Sequence, residues 1–139
     1  MKFLDANVFI YAFYKPKGKL IEKQAWMKEK AKEIITKLVN GNEQFLTTIV
    51  HISEMTNILK KALSLKDLHS ILLTLHALEN LEIVSITKED YMMAVELMNE
   101  YKMDPNDCLA IYIMNKRGIE EIYSFDKDFD NVERIARLP

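Results

Sequence analysis

The feature that most constrains this chain is a repeated change of period. Short runs rich in strand-forming residues, Phe3-Leu4, Phe45-Leu46-Thr47, Glu82-Ile83-Val84-Ser85-Ile86 and Ile122-Tyr123-Ser124-Phe125, alternate with segments whose apolar residues recur at helical spacing. Ile135-Ala136 offers a short fifth run. Strands that alternate with helices predict an α/β fold with a parallel sheet covered on both faces. A length of 139 residues, with no repeat and no linker, suits a single domain spanning residues 1–139.

The helical segments carry their own punctuation. A first one holds Val8, Phe9, Ala12 and Phe13, and a long one runs from about Leu20 to Val39 and stops at Asn40-Gly41-Asn42. Thr47 or Thr48 caps a third that reaches about Leu63, with a stripe at Ile52, Met55, Leu59, Ala62 and Leu63. A fourth is expected to start at Asp67 and to place Leu68, Ile71, Leu72, Leu75 and Leu78 on one face, against the core or across a dimer. Thr87 and Asp90 form a capping-box start for a fifth, which buries Tyr91, Ala94, Val95, Met98 and Tyr101. Asp104 caps the sixth with Pro105 in its first turn, and Gly118 closes it. Its run from Cys108 to Met114 is apolar all round, which marks a buried helix.

Composition closes several routes. One cysteine, Cys108, rules out an internal disulfide framework and a multi-cysteine zinc site and fits a reducing cytoplasm. No segment approaches the roughly 20 apolar residues of a membrane span, and the N-terminus is no signal peptide. The formal net charge of −2 gives no global attraction to nucleic acid. The lysines between Lys15 and Lys37 form a local basic face, solvated or phosphate-steering. There is no Gly-rich phosphate loop, no Gly-x-Ser-x-Gly elbow and no His or Cys pattern of metal-site spacing.

Carboxylates remain. Asp5 follows the first strand directly, and in open α/β sheets ligands bind at the carboxyl ends of the strands. Asp126 ends the fourth strand in the same way. Glu54 lies inside the third helix with Val50, His51, Asn57 and Ile58 three or four residues away, so its own helix supplies no lysine or arginine. Asp107 stands in the first turn of the buried helix, where the free N–H groups and the macrodipole favour an anion. Asp104 is the natural cap of that helix and is read as such. Ser124-Phe125-Asp126-Lys127-Asp128-Phe129-Asp130 alternates acids but is not a calcium loop, because with Asp126 as the first position the sixth is Asn131 and the twelfth Arg137. Asp128 is a further candidate ligand. A set of carboxylates without imidazole or thiolate favours a hard cation, Mg²⁺ or Mn²⁺, over zinc.

Asp5-Ala6-Asn7 after the first strand, Glu54 in a helix, Asp107-Cys108-Leu109-Ala110 at a buried helix and Ser124-Phe125-Asp126-Lys127-Asp128-Phe129 after a strand together resemble the PIN-domain ribonucleases. The resemblance covers essentially the whole chain, with Ala6 in place of a frequent small hydroxyl residue. It implies a Rossmann-like three-layer α/β/α fold with strand order 3-2-1-4-5. It implies Asp5, Glu54, Asp107 and Asp126 as ligands of Mg²⁺ or Mn²⁺, with Asn7 and Ser124 orienting the site. It implies endonucleolytic cleavage of RNA in the cytoplasm. Many family members of this size are homodimeric toxins neutralised by a small antitoxin.

Two other readings share the fold class. A receiver-like phosphoacceptor domain needs an acidic pair near the first strand and an acid after a middle strand; Asp5 stands alone, Ser85-Ile86-Thr87 carries no acid, and only Lys127 fits. A PIN-like binding module without catalysis has to explain why all four acids are present.

Overall fold

The computed structural model describes residues 1–139. The strands are β1 (Lys2–Leu4), β2 (Phe45–Thr48), β3 (Leu81–Val84), β4 (Glu121–Tyr123) and β5 (Ala136–Leu138). The helices are α1 (Ala6–Phe13), α2 (Glu22–Val39), α3 (Ile49–Leu59), α4 (Leu65–Ala77), α5 (Lys88–Tyr101) and α6 (Pro105–Arg117), with a 3₁₀ helix at Lys127–Asn131. The sheet has the order β3-β2-β1-β4-β5, and every pairing is parallel. In register, Phe3 stands opposite both Leu46 and Ile122.

The period of two sorts the strand residues into two cores. Phe3, Leu46 and Ile122 face α5 and α6, where they meet Ala94, Leu109, Ile113 and Phe129. Leu4, Phe45 and Tyr123 face the opposite side, among Phe9, Ile34, Leu38, Ile52, Met55 and Leu75 from α1 to α4. Each fully buried Phe, Leu or Ile contributes about 1.5–3 kcal/mol relative to exposure. Three layers follow, with β1 at the centre of the middle one. Its neighbours β2 and β4 hold it through the backbone, and the buried Thr47 hydroxyl donates to the Leu4 carbonyl at 2.9 Å.

The helix ends are set by the residues that the sequence singles out. Thr48, Thr87 and Asp104 cap α3, α5 and α6 through their side chains, and Thr87 with Asp90 closes a full capping box. Gly118 ends α6 at φ 67°, a left-handed position that favours glycine. Lys102 ends α5 at φ 55° without that freedom.

Several boundaries differ from the expectation. The helix expected from Leu20 begins at Glu22. The one expected to reach Leu63 ends as α3 at Leu59, so Ala62 is exposed. The helix expected from Asp67 starts at Leu65, because Ser64 caps it and Asp67 is the residue whose N–H the cap receives. Its leucine stripe turns to the core: Leu68 and Leu75 are buried and Leu72 is half-buried. Val95 is exposed rather than buried, because α5 covers the sheet only along the line through Ala94. No helix is long and apolar enough to cross a membrane.

Candidate active site

The parallel arrangement sends the carboxyl ends of β1 and β4 to one rim, and there the chain turns into α1 and the 3₁₀ helix. Asp5 takes the first position after β1. Its backbone N–H donates to the Tyr123 carbonyl at 3.1 Å, an extension of the ladder, while its side chain caps α1 by accepting from Ala6 N at 2.8 Å. The residue is 4% exposed. Both its roles are therefore fixed by the local chain: it ends a strand and begins a helix.

Ser124 joins the two strand ends. Its hydroxyl donates to Asp5 Oδ2 at 2.6 Å and accepts from Asn7 Nδ2 at 3.3 Å and from Asp126 N at 3.0 Å. Asn7 also accepts from Phe125 N at 3.3 Å. The residues assigned to orient the site thus do join α1 to the segment after β4. Asp126 caps the 3₁₀ helix by accepting from Asp128 N at 2.9 Å. Asp128 itself is exposed, and its carboxylate receives no hydrogen bond. Asp130 is paired with Arg137 at 2.9 and 3.2 Å, which holds its carboxyl below the usual range.

Asp107 enters the rim from the first turn of α6. Its proton affinity is the most perturbed of the carboxyls: burial, then the charges of Asp5, Asp104 and Asp126, push it up to about 9. Burial likewise pushes Asp5 up to about 6, and Asp126 and Asp104 add to this against the opposing hydrogen bonds from Ser124 and Ala6. The charges that act most strongly on both groups are carboxylates. No lysine or arginine offsets them, so the rim carries an uncompensated negative focus.

Glu54 meets the start of α6 from another layer of the fold. It is half-buried on α3, and its Oε1 accepts from Asn106 Nδ2 at 2.7 Å. Asn106 Oδ1 in turn accepts from the Tyr91 hydroxyl at 2.8 Å. These three line a cleft of about 460 Å³ together with Val50, Ser53 and Asn57. One turn earlier on α3, His51 is wholly buried, with Nδ1 2.7 Å from the Thr48 hydroxyl and its ring edge-on to Phe3. Burial keeps it neutral, with its pKa lowered to about 4 despite the Glu54 charge. Its Nε2 has no hydrogen-bond partner.

The donor set suits a hard dication: oxygen ligands only, two of them with proton affinity raised by burial and then by neighbouring carboxylates. The side chains are not closed into a finished cage, however. No three His, Cys, Asp or Glu groups are placed to hold one ion together. Asp5, Asp107 and Asp126 are brought together electrostatically, and Glu54 is tied to Asn106, the residue beside Asp107.

Sequence reasoning passed over four contributors. Asp104 is the cap it was read as, accepting from Asp107 N at 2.9 Å, yet its charge also acts on Asp5 and Asp107. Asn106 and Tyr91 carry no local mark of a tie to Glu54, since Asn106 lies 52 residues from it. Arg137 donates to the Ser124 carbonyl at 3.1 Å from β5, and only the pairing of β4 with β5 reveals that.

Solved structures of the same architecture come from toxin systems. VapC20 of Mycobacterium tuberculosis, described as a sarcin-ricin loop cleaving toxin, superposes with a TM-score of 0.72 at 16% identity, over 94% of this chain and 93% of that one. A toxin–antitoxin complex from Klebsiella pneumoniae gives 0.64 at 19% identity, over 98% and 96%. VapBC2 of Rickettsia felis, bound to a DNA fragment from its promoter, gives 0.64 at 16% identity, over 99% and 96%. At these identities the likeness is one of fold. No curated protein gives a significant match. The family model for the PIN domain matches residues 2–135, from the start of the first strand to the residue before the last strand and across every acid of the rim, and the chain accordingly belongs to the PIN domain family.

Proposed function

We propose that this chain is a metal-dependent endoribonuclease that hydrolyses RNA phosphodiester bonds. The observation that supports this best is the uncompensated focus of Asp5, Asp107 and Asp126 at the carboxyl rim, with two carboxyls raised to about 6 and about 9. Folding alone gains nothing from such an arrangement, and a bound dication relieves it.

Asp5, Glu54, Asp107 and Asp126 would hold Mg²⁺ or Mn²⁺, with Asp128 a further candidate. A hard dication bound there supplies activation of a water and stabilisation of charge on the phosphodiester. Asp5 is fixed by Ser124 and Ala6, so its carboxylate meets a cation with little reorganisation. Asn7 ties Ser124 to the Phe125 backbone and keeps the strand ends in register. Asp107 sits at the N-terminus of α6, whose dipole favours its ionised form once the competing charges are neutralised.

The solved relatives are toxins or toxin–antitoxin complexes, which supports a toxin role with RNA as substrate and a small antitoxin as partner. We further assign a cytoplasmic homodimer as the working state. Cleavage of a mixed RNA panel with Mn²⁺, with Mg²⁺ and with chelator tests the activity directly. Wild type cuts only with metal, and folded Asp107→Asn loses at least a hundredfold in rate. The lack of three carboxylates placed to hold one ion favours a second reading, a PIN-like binding module without catalysis. Calorimetry that detects no Mn²⁺ binding by wild type would select it.

A further inference from the structure

We propose that Asn106, fixed by Tyr91, is a positioning residue for Glu54. The inference rests on the metal-binding reading above and extends it to two residues with no assigned role.

A half-buried carboxylate needs a partner, and α3 provides none: Glu54 has Val50, His51, Asn57 and Ile58 at helical neighbour positions. The partner comes instead from the first turn of α6, where Asn106 Nδ2 donates to Oε1 at 2.7 Å, the length of a charge-assisted bond. The adjacent residue on that turn is Asp107. One helix start therefore carries one candidate ligand and grips another that comes from a different layer of the fold.

An asparagine amide has two ends, and only one can face a carboxylate. The carboxylate, which only accepts, decides which. The Tyr91 hydroxyl, able to donate or accept, donates to Asn106 Oδ1 at 2.8 Å and occupies the oxygen that faces away from Glu54. A reversed amide would set oxygen against carboxylate. The relay Tyr91–Asn106–Glu54 thus crosses α5, α6 and α3 with each donor and acceptor matched.

The choice of an amide has a physical reason. A lysine or arginine in its place would neutralise Glu54 and compete with an incoming dication. A neutral donor holds the side chain's position and leaves its charge intact. It also occupies one oxygen only. Oε2 receives no hydrogen bond and would be free to meet a cation.

The same contacts would serve a simple staple between helices, so the test reads metal affinity and stability separately. Mn²⁺ affinity is measured by calorimetry, and melting temperature with chelator, on wild type, Tyr91→Phe, Asn106→Ala, Glu54→Gln and the double variant Glu54→Gln/Asn106→Ala. The expected result is a 10–100-fold loss of Mn²⁺ affinity in Asn106→Ala, the usual cost of removing a residue that orients a ligand. Tyr91→Phe loses less, about three- to tenfold, and both keep a cooperative melt. In the Glu54→Gln background, Asn106→Ala costs no further affinity. Wild-type affinity in Asn106→Ala, whatever its melting temperature, overturns the relay alone. An undiminished further loss in the Glu54→Gln background does the same. If wild type binds no Mn²⁺, the metal reading fails and this assignment fails with it.

Discussion

Ser124 Oγ lies 2.6 Å from Asp5 Oδ2, a side-chain hydrogen bond that links the carboxyl ends of β1 and β4. The same hydroxyl accepts from Asn7 and from the Asp126 backbone. Ser124→Ala therefore strands one buried carboxylate oxygen and two donors. A loss of about 1–3 kcal/mol is expected in urea denaturation. RNA cleavage should fall at least tenfold, because Asp5 loses the contact that aims it. Unchanged cleavage with reduced stability would confine Ser124 to a scaffolding role.

The carboxyls of the rim predict an unusual pH profile in metal-free protein. Asp107 rises from an ordinary 3.8 to about 9, and Asp5 to about 6. An acid with a raised folded pKa keeps a proton that the unfolded chain has released. Its contribution is full below about pH 4 and is lost as pH rises, through about 6 for Asp5 and about 9 for Asp107. Asp107→Asn removes the larger penalty. Its stability should match wild type near pH 4 and exceed it by on the order of 2 kcal/mol at pH 8 in chelator, after a discount for its solvent-facing part. Millimolar Mn²⁺ should close the gap by stabilising wild type selectively. Parallel melts across pH, with and without metal, check both statements.

Asp104 allows its two roles to be separated. Asp104→Ala removes the α6 cap and should cost about 1 kcal/mol. Asp104→Ser keeps a capping oxygen and removes only the charge beside Asp5 and Asp107. That variant should melt at or above the wild-type temperature at pH 8 and retain cleavage within tenfold. A hundredfold loss in Asp104→Ser would promote Asp104 to a ligand.

Two helix ends offer opposite corrections. Gly118 at φ 67° has open space where a Cβ would stand, so Gly118→Ala costs backbone strain alone, about 1 kcal/mol. Lys102 at φ 55° already bears that strain, and Lys102→Gly should recover up to about 1 kcal/mol. Thermal melts of the two variants should move in opposite directions.

The sequence makes the fold class and most helix starts legible because those signals are local. Caps at Thr87 and Asp104 and the stop at Gly118 depend only on neighbours within one turn. Boundaries failed where two caps competed over a few residues, as when Ser64 claimed the start of α4 ahead of Asp67. Asp5, Asp107 and Asp126 could be singled out because each follows a strand or opens a buried helix. The hydrogen bonds that hold Glu54 could not, since Asn106 and Tyr91 reach it only through the packing of α5 and α6 against the layer edge. The same limit hid Arg137, which reaches Ser124 from a strand whose place beside β4 is a long-range fact.

The parallel sheet also settles how the molecule should be handled. Because β1 begins at Lys2 and β5 ends at Leu138, the two ends of the chain leave from opposite rims. Ser124 N donates to the Leu138 carbonyl at 2.8 Å, so whatever is joined to Pro139 emerges beside the acids. A histidine tag there would bring imidazoles within reach of the very ions whose affinity is to be measured. The same tag ahead of Met1 would sit a strand length away, behind the sheet's amino edge. Fusion, immobilisation and fluorescent labelling of this protein belong at that amino edge, and a carboxyl-terminal tag should be cut off before any metal titration.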